Sequence, residues 1–428
     1  MRLPADPETA AEHACWWLLA AAVILSALVA TPAGDTFRLP KDAVVRGAAI
    51  VLLSIAALFS MWVRYPDWLR LGRNRWLSIP AAAVAWTLVT FAFAENHRTA
   101  VAAVVDALAS VTLFLFAVVL LRRRSLVAFA VVALPAAIVN AVIIVLQWRH
   151  VWEPFLYTTE IPDRLRRTAM IGNPDDVGMY FAPVVIAAAA IAIATKRPIR
   201  VAAALVSVLG IGAVVIAQTL TALAAIGAGL VAMLIVLFRR RALAAVALLV
   251  VAGGVLLFVS APGQRVTEMA VQLRHGQVPV AISGRVVMAA TALEMFKDAP
   301  LFGVGPGNFA WEFFPYKLQV EAERPALRSL MQENAGETHN DHLQMLAEGG
   351  IPGYAIYVAA LLALAAISFR EAGDDRARFA RFAALPLAVT FAVLGLAAFP
   401  LHVTSARTIV LFAAAAATAW SHEREADA

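Results

Sequence analysis

The stretch THNDHLQMLAEGGIPGY, residues 338–354, decides how the chain reads. It closes the one long polar segment, 283–354, of an otherwise lipid-soluble sequence, and it holds two of the eight histidines, His339 and His342. At helical spacing His339, His342 or Leu343, and Leu346 share one face. That face is polar at one end and apolar at the other, as expected of a helix entering a membrane with its reactive end at the water boundary.

Upstream, SGRVVMAATALEMFKDAP (283–300) opens on a candidate N-cap, Ser283, and closes at Pro300, which predicts a helix of about four turns with Arg285 in its first turn. A cation there opposes the positive end of the helix dipole unless an anion is brought to it. That anion is either an acid such as Glu294 or Glu333, or a bound phosphate, for which a helix start plus an arginine is a good site. Between the two pieces, LFGVGPGNF (301–309) sets Gly303, Gly305 and Gly307 at every second residue around Pro306. Such spacing excludes a helix and predicts a tight turn.

Composition fixes the class. Hydrophobic residues make up 62% and charged residues 15%, far from the roughly 45–50% and 25% of soluble domains, so the expected fold is all-α, a polytopic membrane protein. Apolar runs place spans near 14–30, 45–63, 77–94, 100–121, 126–147, 177–195, 200–217, 220–238, 242–260, 351–368, 383–400 and 405–420, about twelve transmembrane helices in all. The organisation follows: helices one to nine in 1–260, a large helical loop in 261–350 carrying the chemistry, and helices ten to twelve with a tail in 351–428. Basic runs at 64–75, 122–124, 196–200, 239–241 and 370–381 fall on alternate connections, which predicts both termini in the cytoplasm and the 261–350 loop outside. The formal charge of +6 is thus topological and points to no nucleic acid. The lone Cys15 allows no intrachain disulfide. The first span, weakly basic before its apolar run, reads as a retained helix.

Two outward loops exceed what connection requires. The 261–350 loop has seven Lys/Arg against ten Asp/Glu, so its arginines are isolated positions in an acidic setting. The 148–176 loop carries Arg164, Arg166 and Arg167 on the side the positive-inside rule disfavours. Either they face an anionic partner or the five acids of the same loop pair with them. Six histidines, 13, 97, 150, 275, 402 and 422, stand at span ends or in loops, where an amphipathic ring is at home without a task. His339 differs by its company, Glu337, Asp341 and His342. A His-x-x-His metal site lacks a specified third ligand. A general base is the better reading, since an imidazole near pKa 6.5 takes a proton at neutral pH when its other nitrogen is oriented.

An arginine-led helix, then PLFGVGPGNF (300–309), then H-N-x-x-L-Q-x-x-x-E-x-G-x-x-G from His339 to Gly353, together resemble the signature region of the O-antigen ligase and O-antigen polymerase superfamily. RTAMIGNPDDVGMYF, with Asn173 and Pro174, is similar to a mid-chain helix start of the same superfamily. One departure stands out: where many members carry an arginine at the outer end of a mid-chain helix, this chain has Gln218-Thr-Leu-Thr-Ala222. Arg164 to Arg167 or Arg265 are the candidates to replace it.

The resemblance implies a metal-independent, inverting glycan transfer at the outer face of a bacterial inner membrane. The donor would be a glycan on undecaprenyl diphosphate, and no cofactor would be needed. Arg285 and His339 would be catalytic, the one holding the diphosphate and the other activating the acceptor hydroxyl. Arg164, Arg166, Arg167, Gly303, Gly305, Asn308, Asn340 and Gln344 would bind or position substrate, and the apolar spans would take the polyprenyl tail. The acceptor would be a lipid A core sugar for a ligase, a second lipid-linked glycan for a polymerase, or a protein hydroxyl in related members. A transporter is the reading of another class, disfavoured because the polar residues gather in loops rather than at the bilayer midplane.

Overall fold

The computed structural model describes residues 7–32, 35–59, 75–155, 162–196, 198–238, 253, 261–276, 280–330 and 334–421. The expected span 242–260, apart from 253, lies outside them, as do the basic runs 64–74 and 239–241, Glu333 and the tail 422–428.

Every regular element among the described residues is helical. In order they are α1 (Pro7–Leu28), α2 (Arg38–Leu58), α3 (Arg75–Phe91), α4 (His97–Arg122), α5 (Leu126–Ala133), α6 (Pro135–Trp148), α7 (Pro174–Ala194), α8 (Ile199–Ala217), α9 (Leu220–Phe238), α10 (Ala261–Arg274), α11 (Val280–Asp298), α12 (Phe309–Glu323), α13 (Asp341–Ala366), α14 (Asp375–Gly395) and α15 (Thr404–Ser421). Eight stretches among them are long and apolar enough to cross a membrane, with α5 and α6 counting as one. The chain is a multi-pass membrane protein. The expected number of about twelve is larger because α2 carries Arg38, Lys41, Asp42 and Arg46, α3 is short, at 17 residues, α15 is less apolar, and 242–260 is not described.

The starts of these helices are written in short polar side chains. Asn96 accepts from the Arg98 and Thr99 amides, Asn173 from Asp175 and Asp176, Asn340 from Leu343, and Asp374 from Ala377. Each satisfies donors that a helix leaves open at its first turn. Asp374 starts α14 eight residues before the expected 383, and the helix ends at Gly395. The turn 396–403, expected to be largely helical, instead crosses the start of α13.

α7 is the centre of the bundle. It packs against α8, α9, α14 and α15, and Val177 to Ala188 form an almost unbroken buried run. Small side chains allow that close approach, the usual means of packing helices that have no hydrophobic gain over lipid. Phe129, Phe379, Phe412 and Trp420 interlock at its other end. Cys15 is buried and free.

Candidate functional site

α13 is two helices joined at a break, and the break builds the site. Gly350 adopts φ 62 and ψ −167, which takes Ile351 N–H away from Ala347 O, and Pro352 has no N–H to give Glu348 O, so both carbonyls lack helical donors. The glycine turn supplies them: Val304 N–H donates to Ala347 O at 2.8 Å and Gly305 N–H to Glu348 O at 3.2 Å. In return Ile351 N–H donates to Pro300 O at 2.9 Å. Gly303, Gly305 and Gly307 all have positive φ. A Cβ at Gly303 would lie 2.3 Å from the Glu348 carbonyl carbon, so the chain needs glycine there on both counts. The Glu348 carboxylate accepts from Gly307 N–H at 2.8 Å and Phe309 N–H at 3.1 Å, capping α12. Asn308 is buried and ties the turn to the start of α4, accepting from Asn96 N–H at 2.8 Å. The amides of this turn are therefore bonded within the protein, and Gly303, Gly305 and Asn308 shape the scaffold beneath the site.

On that scaffold stands His339, immediately before the cap of α13 and itself at φ 53. A left-handed conformation costs a non-glycine residue about 1–2 kcal/mol, and the surroundings hold it in place. Thr338 is locked by Gln344, whose Oε1 accepts from its N–H at 3.0 Å. Asn340 donates to Leu396 O at 2.9 Å. The His339 ring meets the edge of Phe399 at 4.6 Å between centroids. Among the described residues no hydrogen bond reaches either ring nitrogen, so an aromatic edge holds the ring rather than the orienting carboxylate or carbonyl expected of a general base. The pKa of His339 is lowered, first by burial and then by the Arg285 charge, against the opposing pull of Glu337 and Asp175. The ring is therefore neutral at pH 7, the form that accepts a proton.

His342 faces elsewhere. Its Nε2 lies 2.9 Å from Ala392 O, its Nδ1 lies 3.3 Å from the Tyr354 hydroxyl, and Tyr357 packs on the ring. The two histidines thus have separate surroundings.

Arg285 lies in the second turn of α11, since the helix begins at Val280, three residues before the expected cap; the Ser283 side chain is outside the described set. It is half-buried, and among the described residues it has no ion-pair or hydrogen-bond partner. Glu294, one of the acids expected as its counterion, is held by Lys297 at 2.8 Å and Arg324 at 2.9 Å.

Arginines from three other elements lie near Arg285, near Arg265 or near His339. Arg265 of α10 donates to Gln218 O at 2.6 Å, and its pKa is lowered by burial and then by the charges of Arg164 and Arg285. Arg164 donates to Ala217 O at 3.2 Å and pairs with Asp175 at 2.6 Å. Both cover the left-handed end of α8 at Gln218, the place where the resemblance led us to expect an arginine, and a cation suits the negative end of a helix. Arg38 of α2 pairs with Glu337 and lies over the Phe399 ring at 5.3 Å.

The remaining expected arginines serve structure. Arg167 is buried, bonding Ile216 O at 2.7 Å and pairing with Asp163. Arg166 lies 3.8 Å from Glu153. Of the ten residues expected at the site, His339 and Arg285 come together, Arg164 is linked to them through Arg265 and Asp175, and Gln344 and Asn340 hold the backbone on either side of His339. Sequence reasoning missed Arg38 and Phe399. The only signal was charge clustered in the first half of an otherwise apolar α2.

The fold and these contacts define a helical, multi-pass membrane protein in which the charges of Arg285 and Arg38 bear on His339, while Arg265 stands close to Arg164 and Arg285. Residues 205–358, about a third of the chain, match the family model described as O-antigen ligase. No curated protein matches the chain. The matched region holds Arg265, Arg285, the glycine turn and His339, whereas Arg38, Arg164 and Phe399 reach the site from outside it.

Proposed function

We propose that the protein transfers a glycan from undecaprenyl diphosphate to a sugar hydroxyl at the periplasmic face of a bacterial inner membrane, with lipid A core as acceptor. The observation that carries this is the placing, on separate elements, of a partly buried arginine that has no counterion among the described residues and a histidine whose pKa is lowered. Such a pair suits a reaction that expels an anion and releases a proton.

Arg285, flanked by Arg265, Arg164 and Arg38, holds the diphosphate. His339 accepts the acceptor hydroxyl proton as that oxygen attacks the anomeric carbon opposite the leaving group. The carbon–oxygen bond to the diphosphate breaks, its electron pair goes to the phosphate oxygen facing the arginines, and the sugar inverts. Electrostatic stabilisation of a leaving anion is worth about 10²–10³ in rate, and a general base about 10²–10⁴. No step requires a metal or cofactor. The family description supports ligation, and residues 261–350 form the outer, site-bearing region on this reading.

Purified protein in liposomes, given lipid-diphosphate glycan and lipid A core, should make the conjugate. His339→Ala should lower turnover by roughly 10²–10⁴-fold with donor binding kept, and Arg285→Ala should lower both. Full turnover by His339→Ala would end the base assignment.

A further inference from the structure

His402, at first sight a histidine of a span end, lies where the two holds on His339 meet. Its Nδ1 is 3.2 Å from Asp341 Oδ1, and Asp341 is completely buried. The other oxygen of Asp341 accepts from Leu401 N–H at 3.0 Å, and Asp341 N–H donates to Ala398 O at 3.2 Å. This pins the turn that presents Phe399 to His339. On the far side of the ring, Gln344 Nε2 lies 3.2 Å from His402 Nε2 and donates to Glu348 at 3.2 Å, while Gln344 Oε1 accepts from Thr338 N–H. One imidazole thus touches the hold on Phe399, which edges the His339 ring, and the hold on Thr338, which precedes it in the chain.

We propose that His402 is a positioning residue for the transfer, joining the Asp341 and Gln344 holds so that His339 keeps its left-handed backbone and its seat against Phe399. The inference rests on the functional reading above. The bonding pattern gives a direction with pH. With Nδ1–H donating to Asp341, a neutral His402 offers the Nε2 lone pair to the Gln344 amide. A second proton turns Nε2 into a donor that faces a donor, and the Gln344 amide must rotate away from Thr338. The groups acting on the ring are Asp341, Gln344 and Glu348 of α13 and Glu337 of the preceding turn; from the neighbouring elements, Arg407 of α15 donates to Leu401 O at 2.9 Å and Asp42 of α2 reaches Thr404. Burial works against the charged ring, but the bond and charge of Asp341 outweigh it and leave the pKa raised. Acid therefore loosens the His402 hold first, above the usual histidine pKa of about 6.5, and only at lower pH protonates His339.

The test is the liposome assay on full-length protein across pH. For wild type, kcat should fall on the acid side with two ionisations, the first above about pH 6.5. His402→Gln, whose amide reaches Gln344 but not Asp341, should lower kcat at pH 7 by roughly tenfold to a hundredfold, the cost of a misplaced base. Its donor KM should stay within about twofold, and its acid limb should move to lower pH with a single ionisation. If that variant does not accumulate, His402→Asn, which keeps the bond to Asp341 and loses the one to Gln344, makes the same test. Wild-type kcat with an unmoved acid limb would overturn the proposal, as would parallel loss of kcat and donor binding with the limb unmoved. A wild-type protein that transfers no glycan sinks the functional reading itself, and this inference with it.

Discussion

At the scale of single residues, the three-spaced histidines show how the same side chain is put to two uses by its neighbours. His339 faces arginines and a wet turn, whereas His342 is wedged between tyrosines and the Ala392 carbonyl between α13 and α14. His342→Ala should therefore keep turnover within a few-fold of wild type while lowering thermal stability, by about 1–3 kcal/mol for a carbonyl left without its donor. Turnover measured beside a detergent melting curve separates this from His339→Ala, which should show the reverse. If both variants lost turnover equally and chelators also stopped it, a metal held by the two histidines would be the better account. His339 and Arg285 could be picked out as candidates from the sequence because each sits in a motif. Arg38 was not, because its partner Glu337 lies 299 positions away. Phe399 was not either, since one more phenylalanine at a span end carries no local signal.

At the scale of elements, the glycine turn and the break in α13 are one object. The spacing of Gly303, Gly305 and Gly307 made a tight turn legible, and capping residues such as Asn340 marked where helices start. That the turn spends its amides on the Ala347 and Glu348 carbonyls and on the Glu348 carboxylate could not be read, because donors and acceptors are far apart in sequence and meet only where Gly350 and Pro352 break the helix. On α12, Phe313 is fully buried, with Phe309 beside it, while Trp311 and Phe314 are exposed. Gly350→Ala tests the joint. Its φ alone costs roughly 1–3 kcal/mol, and the new Cβ would lie 2.3 Å from the Leu301 carbonyl oxygen. The variant should melt well below wild type and lose transfer with it; an unchanged melting temperature would mean that the break is not a built feature.

For the whole molecule, the class was legible from composition and the helices from apolar runs, whereas the tally of spans depends on α2, α3 and α15, whose charge or length sets them apart. Orientation remains a reading of basic loops. Reporter fusions after Arg124 and Arg241 should report cytoplasm, and fusions within 310–330 periplasm; a cytoplasmic signal from the latter would remove the site from the side where lipid-linked glycan is delivered. Ligase and polymerase share the donor, so no substitution among the arginines distinguishes them, and only the acceptor does. A lipid A core brings a large head and its own lipid, and it needs a lateral opening beside the site. On the proposed reading the exposed Trp311 and Phe314 on α12 would border it. Deleting the gene should leave lipid A core uncapped while long lipid-linked glycan accumulates, which lipopolysaccharide gels and lipid extracts can read together. If single repeats were still attached to the core and only chain length were lost, the protein would be the polymerase, with the same arginines and the same histidine acting on a second lipid-linked glycan.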